Sequence, residues 1–150
     1  MTIQAKPFGE PHRTDQYNES DISDLNWGQH GLRFVVELWN RELWRKDALL
    51  KWDREGKFRK KYVEIYFQNF SRYRVLEEVD LEPYWKSKEF FNGHIVHEIL
   101  SGGWISHDAT GEQLLGYATT CGAREWFIST SNWSAFVLSK NEPLVRGLKD

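Results

Sequence analysis

Eight tryptophans are spread along this 150-residue chain, at positions 27, 39, 44, 52, 85, 104, 126 and 133, with nine phenylalanines and six tyrosines beside them. Each such ring brings roughly 150–250 Å² of surface to hide, and the same rings are favoured at binding hot spots. A domain of this size buries only roughly 68–70% of the surface its unfolded chain exposes. One or two of the indoles are therefore expected to stay partly exposed. The core must form without a staple, because Cys121 is the only cysteine and an internal disulfide needs two.

A lone thiol fits a reducing compartment. No apolar run approaches the ~20 residues of a membrane helix. Residues 1–19 are polar and acidic, without a basic segment followed by an apolar one, so no secretory signal is read there. The expectation is one soluble cytoplasmic domain with no membrane partner.

The formal net charge of −2 is too small for long-range steering. Its distribution is more informative. Residues 1–26 carry five acidic and two basic side chains, whereas residues 33–61 carry ten basic and five acidic ones. The basic stretch 45–61 is a candidate nucleic-acid face, weighed against a solvated helix surface.

Residues 1–26 hold Pro7, Gly9, Pro11 and a cluster of Asp, Asn and Ser. They read as an irregular N-terminal arm, with Asp24 or Asn26 placed to cap the next element. Leu32, Val35, Val36, Trp39 and Leu43 then fall on one helical face, with Arg33, Glu37, Asn40 and Arg41 on the other. Glu37–Arg41 and Glu42–Lys46 have the spacing of helix-stabilising pairs. The helix is expected to run to about Leu50, with Gly56 closing the region.

Beyond Gly56 the pattern is strand-like. Tyr62 to Phe67 alternates in β-branched and aromatic residues, and Tyr73 to Leu76 continues as extended chain. Asp80 opens a turn, and Leu81 to Trp85 is read as one helical turn. Residues 95–99, 113–120, 125–130 and 134–139 read as short strands, punctuated by Cys121-Gly122 and Ser131-Asn132. The expected class is α+β: an N-terminal helix packed on a mainly antiparallel sheet, in a single domain over residues 27–150.

The chemistry-bearing residues form no active-site pattern. No phosphate loop, dinucleotide fingerprint, nucleophile elbow or HExxH zinc motif occurs. His94 and His97, placed on a strand, point to opposite faces and cannot share a metal. Cys121 lies in a tight Thr-Cys-Gly connection with no base beside it. No cofactor, metal site or catalytic residue is assigned. The densest acidic group is Glu77, Glu78, Asp80 and Glu82, with no basic residue among them. Such a cluster suits a solvated loop, a surface for a basic partner, or acid–base chemistry through a raised carboxyl pKa. Tyr84 and Trp85 come directly after it, and carboxylates beside aromatics are what a hot spot with an electrostatic rim contains.

The segment YVEIYFQNFSRYRVLEEVD (62–80), then Tyr84 and Trp85, resembles small bacterial proteins in which a strand ending in an Asn turn precedes an acidic run and an aromatic pair. Gly102 to Ile105, Glu125 to Ile128, Phe136 to Ser139 and Glu142-Pro143 extend the similarity over about residues 58–146. These proteins are similar to the immunity proteins of polymorphic toxin and contact-dependent inhibition systems. The resemblance implies a non-catalytic, cytoplasmic inhibitor of a cognate protein toxin, and it carries over no catalytic residue.

The leading expectation is thus an immunity-type protein whose partner-binding residues are Glu77, Glu78, Asp80, Glu82, Tyr84 and Trp85, the toxin being of nuclease type if the cluster imitates phosphate. A homodimer through exposed aromatics is the other partner considered, and nucleic acid is disfavoured. A small hydrolase or nucleotide-processing enzyme is the first alternative. It requires the 77–82 cluster to converge with His94 or His107. A nucleic-acid-binding module using residues 45–61 is the second.

Overall fold

Leu32, Phe34, Val36 and Leu38 are each fully buried. That alternation is the two-residue period of a strand, and it governs the architecture. A computed structural model describes residues 3–42, 60–105 and 122–148. Among these it contains the strands β1 (Gln4–Phe8), β2 (Glu19–Gly28), β3 (Gly31–Trp39), β4 (Lys61–Phe67) and β5 (Arg72–Glu77), followed by a 3-10 turn (Glu78–Leu81) and a short helix, α1 (Glu82–Ser87). The strands β6 (Val96–Ser101), β7 (Arg124–Ile128), β8 (Trp133–Ser139) and β9 (Leu144–Leu148) complete them.

The fold is mostly β, and the expected N-terminal helix is a strand over Gly31–Trp39. A helix would turn Phe34 and Leu38 to roughly the side opposite Leu32; the structure buries all three together in one core. The helical spacing arose because β3 is covered on both faces at its centre. Val35 points away from that core and is still buried, so residues from two faces of a strand imitated one stripe of a helix. The members of the expected Glu37–Arg41 pair have other partners: Glu37 accepts from Lys60 at 3.1 Å, and Arg41 approaches Glu19 at 3.8 Å; Lys46 of the second pair lies outside the described residues. Asp24 and Asn26 lie inside β2 rather than at a cap. Leu43 to Leu50, Gly56 and the 113–120 strand lie outside the described residues.

Two antiparallel sheets face each other. One has the order β1-β6-β7-β8-β5, the other β2-β3-β4-β9. The segment read as an irregular arm, 1–26, supplies β1 and most of β2. Both are edge strands, which explains the misreading. Edge strands keep polar side chains in water and tolerate proline, and β1 contains Pro7 while most of its residues are exposed. The opposite edge, β9, is also mostly exposed, a short strand with Gly147 inside it, and was not read from the sequence.

Between the sheets lies a core built from β3, β4, β6, β7 and β8, centred on Phe34, Phe67 and Trp126. A second core lies on the outer face of the five-stranded sheet, where Leu81 and Tyr84 from the turn and α1, with Phe90 and Trp104, cover Phe127, Phe136 and Leu138. The five-stranded sheet is therefore the middle of three layers. This is why Glu125–Ile128 and Ser134–Ser139 are buried at consecutive positions, where a strand with one wet face would alternate.

Candidate partner-binding surface

The acidic segment begins where β5 ends. Glu77 pairs with Trp133 across the β5–β8 ladder, and the Glu78 N–H donates to the Asn132 carbonyl at 3.0 Å. These bonds hold the start of the turn against the β7–β8 connection. Leu81 then plunges into the outer core, fully buried. Pro83 lies in the first turn of α1, where its missing N–H costs nothing. Lys88, in a left-handed conformation at φ 62°, ends the helix.

This geometry divides the six residues assigned to the site. Glu77, Glu78, Asp80 and Glu82 are exposed. Glu82 pairs with Lys86 at 2.9 Å, one turn along α1. Tyr84 does not belong to the surface. It is buried, with its ring 4.9 Å from Phe136 and 5.1 Å from Phe127. Trp85 is half-buried against Phe127 and Phe90. The cause is the helical period: Leu81, Tyr84 and Trp85 form the inward stripe of the segment, and the carboxylates form its wet side.

The apolar part of the surface comes from residues the sequence reading did not assign. Val79 is 79% exposed, Phe91 68% and Trp133 41%. A shallow hollow of about 240 Å³ is lined by Glu77, Glu78, Val79, Asn132 and Trp133. A larger one of about 480 Å³ extends from Glu78 past Trp85, Phe90 and Phe91 to Glu19, Thr130, Ser131 and Arg13. Glu78 belongs to both, so the acidic turn is a ridge between two aromatic hollows. Two signals were available in the sequence. Adjacent Phe90 and Phe91 cannot both enter one core, and Trp133 directly follows the polar Ser131-Asn132 turn.

Arg13 forms the far wall. Its Nη2 donates to the Ser129 carbonyl at 2.7 Å and to Ser20 Oγ at 3.3 Å. Burial lowers its pKa, and Glu19 opposes that shift. Glu19 is itself engaged, accepting from Ser131 Oγ as well as facing Arg41. The unsatisfied negative charge of the surface is therefore that of Glu77, Glu78 and Asp80, which make no ion pair among the described residues.

The histidines lie apart from the acidic turn. His94 precedes β6 instead of lying on it, and its ring approaches that of His97 to 6.4 Å. The inference that the two point to opposite faces was therefore mistaken. Asn92 explains the arrangement: its side-chain oxygen accepts from the His94 N–H at 2.8 Å, and its amide meets His97 Nε2 at 3.0 Å. Among the described residues no group of three or more His, Cys, Asp or Glu side chains is placed to share a metal. Phe90 lies edge-on to His97 at 4.9 Å and also lines the larger hollow. An aromatic ring thus stands between His97 and the carboxylates, and neither His94 nor His97 lines either hollow. His107 and Cys121 lie outside the described residues.

So do residues 45–59 of the basic stretch. Its described end is occupied, since Lys60 pairs with Glu37 and lies 5.7 Å over Trp39, and Lys61 lies 5.7 Å over Tyr17. No helix among the described residues is long and apolar enough to cross a membrane. Comparison with known proteins finds no matching family model, no similar curated protein and no similar solved structure. The reading of this surface therefore rests on its own geometry.

Proposed function

We propose that the chain is a non-catalytic, cytoplasmic binding protein of immunity type, which neutralises a basic protein toxin through the surface around the acidic turn. One observation carries this reading. Three carboxylates without ion partners among the described residues, Glu77, Glu78 and Asp80, share a surface with the exposed side chains of Val79, Trp133 and Phe91. Exposed aromatics supply contact area at a protein interface, and fixed charges around them select and steer the partner. A toxin domain that attacks nucleic acid has cations in its cleft, and carboxylates can occupy the place of phosphates there.

The hydrolase alternative has less support, because it needs a histidine against the carboxylates and His94 lines neither hollow at the acidic turn. The test is co-expression with the C-terminal domain of the protein encoded beside this chain's own gene. A stable complex with loss of toxicity is expected. Failure to bind and to protect would refute the immunity reading.

A further inference from the structure

We propose that the open edge of the sandwich, between β2 and β5, is a binding cleft for a planar anionic small molecule of the nucleoside monophosphate class. The cleft holds about 330 Å³ and is lined by Trp27, Phe70, Ser71, Arg72, Tyr73 and Trp104. That volume lies at the lower end of small-molecule sites, which run from about 300 to about 1,000 Å³. The cleft shares no lining residue with the two hollows at the acidic turn, so the inference is independent of the proposed partner surface.

Trp27 is the first reason. It pairs with Leu32 across the β2–β3 ladder, and directly opposed residues share a sheet face. Leu32 is fully buried between the sheets, whereas Trp27 is 63% exposed. The core-facing row thus continues past the last strand of the opposing sheet and ends in an indole with open space before it. Tyr73 and Phe70, with ring centroids 6.0 Å apart, form the floor on the β5 side.

Charge selects the occupant. Arg72 is exposed, and its guanidinium makes no ion pair or hydrogen bond among the described residues. Arg74, two residues on and so on the same face of β5, is held with its guanidinium 4.6 Å from the Trp104 ring centre and 5.0 Å from that of Phe136. Its buried Nε has no hydrogen-bond partner among the described residues. A π-face on Trp27 and a cation on Arg72 suit a base carrying a phosphate. Every nucleobase offers a π-face for stacking, and arginine matches phosphate oxygens in a planar fork. A neutral saccharide would leave Arg72 unused.

The experiment is isothermal titration of the full chain with adenosine monophosphate, adenosine, inorganic phosphate, glucose and a short oligoadenylate. Saturable binding of adenosine monophosphate is expected, about tenfold or more tighter than adenosine, with no binding of phosphate alone. Arg72→Glu should remove the advantage of the nucleotide over the nucleoside. Trp27→Ala should weaken both by about tenfold, as loss of one stacked base does. Both residues are exposed, and an unchanged melting temperature verifies that the variants fold. Three results would overturn the proposal: no saturable binding of adenosine monophosphate, glucose binding as tightly as the nucleotide, or an oligoadenylate binding far more tightly per nucleotide, which would indicate a strand-binding track.

Discussion

Glu77 lies directly opposite Trp133 in the β5–β8 ladder. A carboxylate and a partly exposed indole are thereby fixed side by side by backbone pairing, before any partner arrives. Interface groups held in place in this way lose little freedom on binding. Trp133→Ala is expected to leave the fold intact, because the ring is 41% exposed. It should weaken the complex by about 2 kcal/mol or more, the threshold of a hot spot. Calorimetric affinity beside a thermal melt checks both halves.

Tyr84 is expected to behave in the opposite way. Its ring joins α1 to Phe127 and Phe136 in the outer core. Tyr84→Ala should cost about 3 kcal/mol of stability, as truncation of a buried aromatic does. Urea denaturation measures it. An unchanged midpoint would mean that α1 is not anchored through this ring.

The contrast between Tyr84 and Trp133 shows what was legible in the sequence. Strands β4, β5, β7 and β8, and the helical turn at Leu81 to Trp85, were marked by β-branched and aromatic runs between polar turns. The acidic group was visible as a run, and its exposure follows from its charge. The direction of Tyr84 was not legible, because it depends on which side of the turn meets the sheet. The helix expected after residue 31 failed for a related reason. Val35 and Leu38 are buried on opposite faces of β3, and the sequence records burial without recording the face. Edge strands β1 and β2 carried too little apolar content to be read, and β9 is a five-residue strand broken by Gly147.

Acid should destabilise the fold through His97. The ring is fully buried, with Phe90 edge-on, Asn92 on Nε2, and His94 and Arg13 as the nearby cations. Burial first, then those two charges, push its pKa down from 6.5 to about 4. The folded pKa lies below the unfolded one, so the native state holds the neutral ring. Its contribution is complete above the unfolded value and is lost as pH falls from 6.5 toward about 4. The shift corresponds to about 3 kcal/mol. Melting temperatures across that range should fall in the wild type and much less in His97→Gln. His12, lowered by its own burial first, adds a smaller fall in the same direction.

Gly103 should tolerate no side chain. A Cβ there would stand 2.6 Å from Ile99 Cγ2 and 2.8 Å from Glu125 Cδ. Glu125 cannot retreat easily, since its buried carboxylate accepts the N–H groups of Trp104 at 2.9 Å and Ile105 at 2.8 Å. Gly103→Ala is expected to lose about 1–3 kcal/mol through overpacking. Chemical denaturation tests this, and a neutral result would mean that the Glu125 contact is not rigid.

The most direct test of the proposed partner surface is the association rate of the Glu78→Lys, Asp80→Lys double variant with the toxin domain, measured across a salt series. Both side chains are exposed, so the variant should fold as the wild type does. The account predicts association slower by about tenfold or more at low salt, with most of the salt dependence removed, because rim charges act on the encounter. Wild-type rate and affinity at low salt in a correctly folded double variant would contradict it, and would place the interface elsewhere on the molecule.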